Sequence, residues 1–347
     1  MASYRSAKIA PRNTTPPAPQ SDAPLDPPRQ RSTSPFIYLV RLIICGLGAS
    51  TIAGTAISIV NPPPQLATTP EPPLPAPPPL PLDRLTLTTA NSLLKARLQS
   101  AIANKSKLDS SYLFVEIDRG EYSERGIDRI LPAASTIKLP ILIALFEDVD
   151  TNKVRLEEKL TIDKKSIAAG AGDLQHQKPG TRVSILVAAT KMIAISDNTA
   201  TNLLIARLGG KAALNQRFRN WGLNITAINR PLPDLEGKNV TTVGELARSL
   251  MAVDRGKIVS DPSRSQILSM MSNTSRNTML PQGLGAGAKI AHKTGDIGTT
   301  IADVGLIELP TGKKYIAAAI VKRPYNDPAG PALVRQMSKV AYEYFRL

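Results

Sequence analysis

A serine and a lysine three places apart, Ser135 and Lys138, stand at the edge of the apolar run LPAASTIKLPILIALF (131–146). On a helix those positions share a face, so the spacing sets a hydroxyl beside an amine. Pro132 and two alanines precede the serine and predict a helix N-terminus, where free backbone N–H groups and the positive dipole end meet the hydroxyl. An ammonium partly withdrawn from water is destabilised, its pKa falls, and a neutral amine becomes available as a base for the serine. The pattern alone is weak. An N-cap serine followed by a surface charge would read the same, and Ser92 with Lys95 repeats the spacing where a solvated helix face explains both.

Two further clusters follow in order. ISDNTATNLL (195–204) places Ser196, Asp197 and Asn198 in a short break between two apolar stretches, where an Asp or Asn also serves as a helix cap. AHKTGDIG (291–298) places Lys293, Thr294, Gly295 and Asp296 at the end of an apparent strand, which could equally be a strand running into a turn. Each tripeptide arises by chance in about one chain in ten or twenty of this length, and all three patterns in this order far less often.

The elements that must position these groups are legible from periodicity. Residues 84–103 predict a helix and 111–118 a strand. Helical patterns cover 134–149, 182–195, 198–208, 211–220 and 242–254. Strands are predicted at 287–294, 299–309 and 315–321, the last two joined by the turn at 311–314, before a closing helix at 331–346. Strands at both ends with helices between predict an α+β domain with an antiparallel sheet packed on helices.

With these residues in view, the sequence resembles the penicillin-recognising serine enzymes, and among them the class A β-lactamase family, whose S-x-x-K, S-D-N and K-T-G motifs line one cleft. The likeness spans roughly residues 90–347, and MIAISDNTATNLLIARLGG and HKTGDIGTTIADVGLI follow the family pattern throughout. The resemblance implies a β-lactamase/transpeptidase-like fold, an antiparallel five-stranded sheet flanked by helices plus a helical subdomain. It implies Ser135 as the nucleophile, Lys138 as its base, and Ser196 as the relay of a proton to the leaving nitrogen. By the same resemblance Asn198 would bind the substrate amide, Lys293 and Thr294 its carboxylate, and Gly295 would permit close approach along the strand. The N–H groups of Ser135 and Asp296 would form the oxyanion hole. No metal or organic cofactor is implied.

One segment departs from the family pattern. Class A enzymes deacylate with a loop glutamate two places after an arginine; in INRPLPDLEGKNVTT (228–242), Arg230 is followed two places later by Leu232. Asp234 and Glu236 are the nearby acids, read either as substitutes for the glutamate or as solvated loop charges. Without a base, acylation would proceed while hydrolysis slows, by about 10²–10⁴-fold for a lost general base. Asp296 is a second oddity, a carboxylate beside the residues expected to take a substrate carboxylate. The functional expectation is a serine hydrolase that opens β-lactam amides through an acyl-enzyme. The alternative is a peptidoglycan D,D-peptidase-like acyltransferase, or a slowly deacylating penicillin-binding or sensor protein.

Composition sets the context. The 347-residue chain carries a formal charge of +15, and residues 1–82 contribute six basic and three acidic residues, leaving +12 for the rest. A basic domain suits an anionic wall or membrane. At 4% aromatic content, and without a nucleic-acid-binding signature, nucleic acid is not an expected partner. The single cysteine, Cys45, excludes an internal disulfide, and with His176 and His292 as the only histidines a zinc site has too few ligands. Residues 1–34 read as a basic disordered tail and 35–60 as a membrane anchor or signal segment, since Phe36 to Val60 has Arg41 as its only charge. Residues 61–82 hold eleven prolines and read as a stiff spacer before a domain at 83–347. The expected location is the inner membrane, single-pass, with the catalytic domain in the periplasm or cell exterior. The expected small-molecule partner is a β-lactam or a peptidoglycan peptide.

Overall fold

In the computed structural model the described residues are Leu85, 87–103 and 105–347, all within one compact unit, Pro77–Leu347. The tail, the apolar segment 36–60 and nearly all of the proline-rich spacer lie outside them. Among the described residues, no helix is long and apolar enough to cross a membrane.

The described residues begin with β1 (Thr89–Ala90), α1 (Ser92–Ile102), β2 (Asp109–Glu116) and β3 (Glu121–Arg125). The short β4 (Leu131–Pro132) leads into α2 (Lys138–Asp150), and the hairpin strands β5 (Lys159–Thr161) and β6 (Arg182–Ser184) follow. Three helices come next: α3 (Ile185–Ala194), α4 (Asn198–Arg207) and α5 (Gly210–Asn220). After β7 (Val240–Thr241) come α6 (Val243–Asp254) and α7 (Asp261–Ser272). The strands β8 (Lys289–Asp296), β9 (Thr300–Glu308) and β10 (Lys314–Lys322), then α8 (Ala329–Phe345), close the fold.

The main sheet runs β1-β3-β2-β10-β9-β8. Its five longer strands are antiparallel, as expected, but the two-residue β1 adds a sixth, paired parallel to β3. The helix predicted from residue 84 therefore starts only at Ser92, where the Asn91 side chain caps it by accepting from Leu94 N at 2.7 Å. Strand alternation divides the interior into two cores. Val304, Leu306, Ile316 and Ala318 face the helices α2 to α7, whereas Ile307, Tyr315, Ala317 and Val321 face α1 and α8. The α7 helix and β3 were not among the expected elements. Few apolar residues mark either one, because β3 alternates charges and α7 buries only a narrow stripe.

Helix α2 explains why the motif serine sits beside the core. Ten of its thirteen residues are buried, which makes it the central helix rather than an amphipathic one. The expected helix over 134–149 divides in two: Ala134–Ile137 form a 3-10 turn, and the α-helix begins at Lys138. In the tighter turn residues three apart eclipse, so Ser135 and Lys138 stack more directly than on an α-helix.

Candidate active site

Lys138 is fully buried and its Nζ meets four oxygens. Ser135 Oγ lies at 3.1 Å, Ser196 O at 2.6 Å, Ser196 Oγ at 3.0 Å and Asn198 Oδ1 at 2.9 Å. The Asn198 amide is oriented unambiguously, because its Nδ2 donates to Ala169 O at 2.9 Å. Two of the four partners are therefore carbonyl oxygens that can only accept. A neutral amine has two N–H groups and one lone pair. Spent on Ser196 O and Asn198 Oδ1, its two donors leave the lone pair for a hydroxyl proton of Ser135 or Ser196. Burial, reinforced by the nearby Lys293 charge and opposed by Asp197, holds the Lys138 pKa well below the usual lysine range.

Ser196 presents both its carbonyl and its hydroxyl to that amine because its φ is +60°, in the left-handed region a serine seldom adopts. Its neighbour holds it there. Asp197 is fully buried and caps α4 through Ala200 N at 2.7 Å. Its Oδ2 also accepts from Asp173 N and Leu174 N, both at 2.8 Å. A Cβ at Gly172 would lie 2.2 Å from that same oxygen, so only glycine fits the loop against it. Asp197 is thus a helix cap, one of the two sequence readings, and also the staple of the loop that brings Ala169 O and Ala171 to the site.

The other wall is β8. Gly295 lies against the nucleophile's turn, and a Cβ there would stand 2.8 Å from both Ser135 N and Ala134 Cβ. Lys293 is fully buried and donates to Ser196 Oγ at 3.2 Å and Thr294 O at 2.9 Å. Burial lowers its pKa to about 7, with Asp303 opposing and Arg276 adding to the shift. Ser135, Ser196, Lys293, Thr294, Gly295 and Asp296 line a single cleft of about 270 Å³. A hydrogen-bonded row from Ser135 through Lys138 and Ser196 to Lys293 runs along its floor.

The cleft also contains residues that sequence reading missed. Arg276 lines it from the loop between α7 and β8, in a stretch (SNTSRNT) without any motif to announce it. The Asp296 oddity has an electrostatic answer. Its Oδ1 accepts from Arg323 Nη2 at 2.7 Å and Gly298 N at 2.9 Å, and Oδ2 faces Arg276 Nη1 at 3.5 Å. Two guanidinium groups offset its charge, and the cleft keeps a positive pole.

The acids of 228–242 are committed elsewhere. Asp234 is buried and accepts from Lys238 N at 3.0 Å and Asn239 N at 2.6 Å. Glu236 points to solvent and pairs with Arg230 at 2.6 Å, which depresses its pKa. Leu232 is held by both backbone groups: its N donates to Asn202 Oδ1 at 3.0 Å and its O accepts from Asn202 Nδ2 at 2.8 Å. Asn202 lies one helical turn beyond Asn198, so the loop reaches the site's floor with a leucine and no carboxylate. The second serine–lysine pair, Ser92 and Lys95, is exposed on α1.

Comparison with known proteins agrees with this geometry. Residues 93–345 match the model described as "Beta-lactamase enzyme family". The chain is 47% identical to a solved protein described as PBP-A, with a TM-score of 0.73, covering 77% of this chain and 98% of that one. A leucine-to-glutamate mutant of PBP-A has been solved as an acyl-enzyme complex with penicillin G. The extended-spectrum β-lactamase PER-1 of Pseudomonas aeruginosa is 25% identical over 230 residues, 61% of this chain and 75% of its own. A β-lactamase of Sphaerobacter thermophilus is 27% identical with a TM-score of 0.65, covering 72% and 96% of the two chains. Its motifs, sheet and family match together show that the chain belongs to the class A β-lactamase family.

Proposed function

We propose that this protein is a penicillin-binding acyl-serine enzyme of D,D-peptidase type, which acylates readily and hydrolyses the acyl-enzyme slowly. Its substrates would be the amide bonds of peptidoglycan stem peptides, with β-lactams as slowly released mimics. The observation that carries this reading is the combination of a complete acylating row with a loop whose acids, Asp234 and Glu236, are both engaged away from the cleft.

In the first step neutral Lys138 takes the Ser135 proton and Oγ bonds to the substrate carbonyl carbon, whose oxygen becomes an oxyanion. The N–H groups of Ser135 and Asp296 are the proposed donors to it, each worth about 3–4 kcal/mol in comparable sites. Lys138, now an ammonium, passes a proton through Ser196 Oγ, 3.0 Å away, to the leaving nitrogen as the C–N bond breaks. Lys293, Thr294 and Arg276 would hold the substrate carboxylate, and Asn198 the amide on its acyl side. The ester that remains then needs a water or an amine. Neither acid of the loop, Asp234 or Glu236, is placed to activate water, which favours an amine acceptor or a long-lived adduct.

The identity to PBP-A supports this reading, and the likeness to PER-1 favours a second one, β-lactam hydrolysis with turnover. Intact-mass measurement over time after adding penicillin G to the full chain separates them. A stable adduct on Ser135 is expected, absent in Ser135→Ala. Rapid loss of the adduct with many turnovers would favour the hydrolase, and no adduct at all would overturn the acyl-serine mechanism. The apolar segment 36–60 and its proline-rich spacer support a membrane-tethered, wall-facing location, which carbonate extraction of membranes would test.

A further inference from the structure

The loop between α7 and β8 carries Ser275 and Arg276 into the cleft, and one buried pair behind β8 ties it at three points. Lys293 and His292 alternate across the strand, so that as Lys293 faces the cleft His292 faces the other side of the sheet. There His292 Nδ1 meets Asp303 Oδ1 at 2.9 Å, with both residues essentially buried. Gly305 lies opposite His292, and a Cβ on it would stand only 3.0 Å from His292 Cβ. The pair then reaches the loop at every third residue. Thr274 Oγ1 donates to His292 O at 2.7 Å, His292 Nε2 meets the Asn277 side-chain oxygen at 3.1 Å, and Leu280 N donates to Asp303 Oδ2 at 3.1 Å. These bonds bracket Ser275 and Arg276.

The chemistry of the bridge makes it persistent. A carboxylate only accepts, so Nδ1 carries the proton that meets Asp303. Nε2 faces a primary amide, which offers an oxygen to an N–H or an NH₂ to a lone pair after a flip. The bridge therefore closes with a neutral or a charged imidazole. Arg276 has little else to set its posture. Its side chain is 57% exposed, and its head is 3.5 Å from Asp296.

We infer that His292 is a positioning residue for substrate-carboxylate recognition: with Asp303 it sets the loop through Thr274, Asn277 and Leu280 so that Arg276 stands in the cleft near Lys293. This rests on the acyl-serine reading for the identity of the substrate, but the posture of Arg276 can be read without any reaction. A merely structural His292 would alter stability and every rate alike. A positioning residue alters what depends on Arg276.

The experiment uses the full chain with Asn277→Ala, Arg276→Ala, their double variant, and His292→Gln. Asn277 has an exposed side chain, so its removal keeps the inference testable even if the buried His292→Gln does not fold. The first readout is the titration of Lys293 Nζ by ¹⁵N NMR, since the Arg276 charge depresses it. Asn277→Ala should raise that titration in the same direction as Arg276→Ala. The second readout is the ratio of acylation efficiencies for benzylpenicillin and its methyl ester. Asn277→Ala should lower the ratio about tenfold, the scale of one hydrogen bond to a charged group, and the double variant should fall no further than Arg276→Ala. A Lys293 titration that moves in Arg276→Ala but not in Asn277→Ala would overturn the inference, as would equal losses for acid and ester. If the wild-type protein forms no adduct, the acyl-serine reading fails, while the Lys293 titration still decides this one.

Discussion

Gly295→Ala adds one methyl group where the acylating turn and the carboxylate-binding strand meet. Strand propensity favours the change, and the backbone there is not left-handed, so space is the whole issue. The new Cβ would stand 2.8 Å from Ala134 Cβ and from Ser135 N, and 3.2 Å from Thr136 N. Carbon atoms pack at about 3.5–4.0 Å, so β8 and the turn must part by roughly 0.7 Å or more. The sheet-side neighbours of β8 are a full antiparallel ladder with β9, so the turn gives way more readily than the strand. A misplacement of this order costs about 10²-fold in rate when it falls between nucleophile and substrate. Overpacking costs about 1–3 kcal/mol of stability. Stopped-flow acylation by a chromogenic β-lactam, beside a thermal melt, measures both. The expected outcome is acylation slower by about 10²-fold with a folded protein melting somewhat lower. A wild-type acylation rate in a folded variant would refute the argument that Gly295 is there to let the strand approach Ser135.

Leu232→Glu should leave acylation nearly unchanged and accelerate deacylation by about 10²–10⁴-fold, read as the lifetime of the penicillin adduct by intact mass. An unchanged lifetime would mean that position 232 does not face the acyl-enzyme. The pH dependence should divide by substrate charge. With a pKa of about 7, Lys293 goes from about nine-tenths protonated at pH 6 to about one-hundredth at pH 9 in the free protein. Carboxylate recognition is thus fully present below that pKa and fades as pH rises through it, so the acid-to-ester ratio of acylation should decline over that range. Lys138 serves both substrates alike, so its own titration cancels in the ratio; a flat ratio would remove Lys293 from carboxylate binding.

The long apolar elements were readable because burial leaves a period in the chain. The segments YIAAAIV and KLPILIALF are such runs, and they are β10 and α2. Boundaries set by single side chains were not. Asn91 starts α1 eight residues later than periodicity implied, and the 3-10 turn before Lys138 leaves no signature distinct from the helix it joins. Asp234 and Glu236 looked equally able to serve as bases, and only their partners, two backbone amides and one arginine, separate a loop staple from a surface ion pair.

The sequence by itself determined which groups are present and their local spacing: the serine–lysine pair, the Ser-Asp-Asn and Lys-Thr-Gly clusters, and a leucine where the class A pattern has a glutamate. Local spacing is encoded in covalent connectivity, which is why those patterns could be seen. Only the tertiary structure decided what surrounds each group. It brought Ser196 and Asn198, about sixty residues away in the chain, onto the Lys138 amine, and sank both lysines so that burial lowers their pKa. It also set Arg323 on Asp296 and brought Arg276 to the cleft. Desolvation and charge pairing depend on distance through space, and a chain without its fold does not carry that quantity.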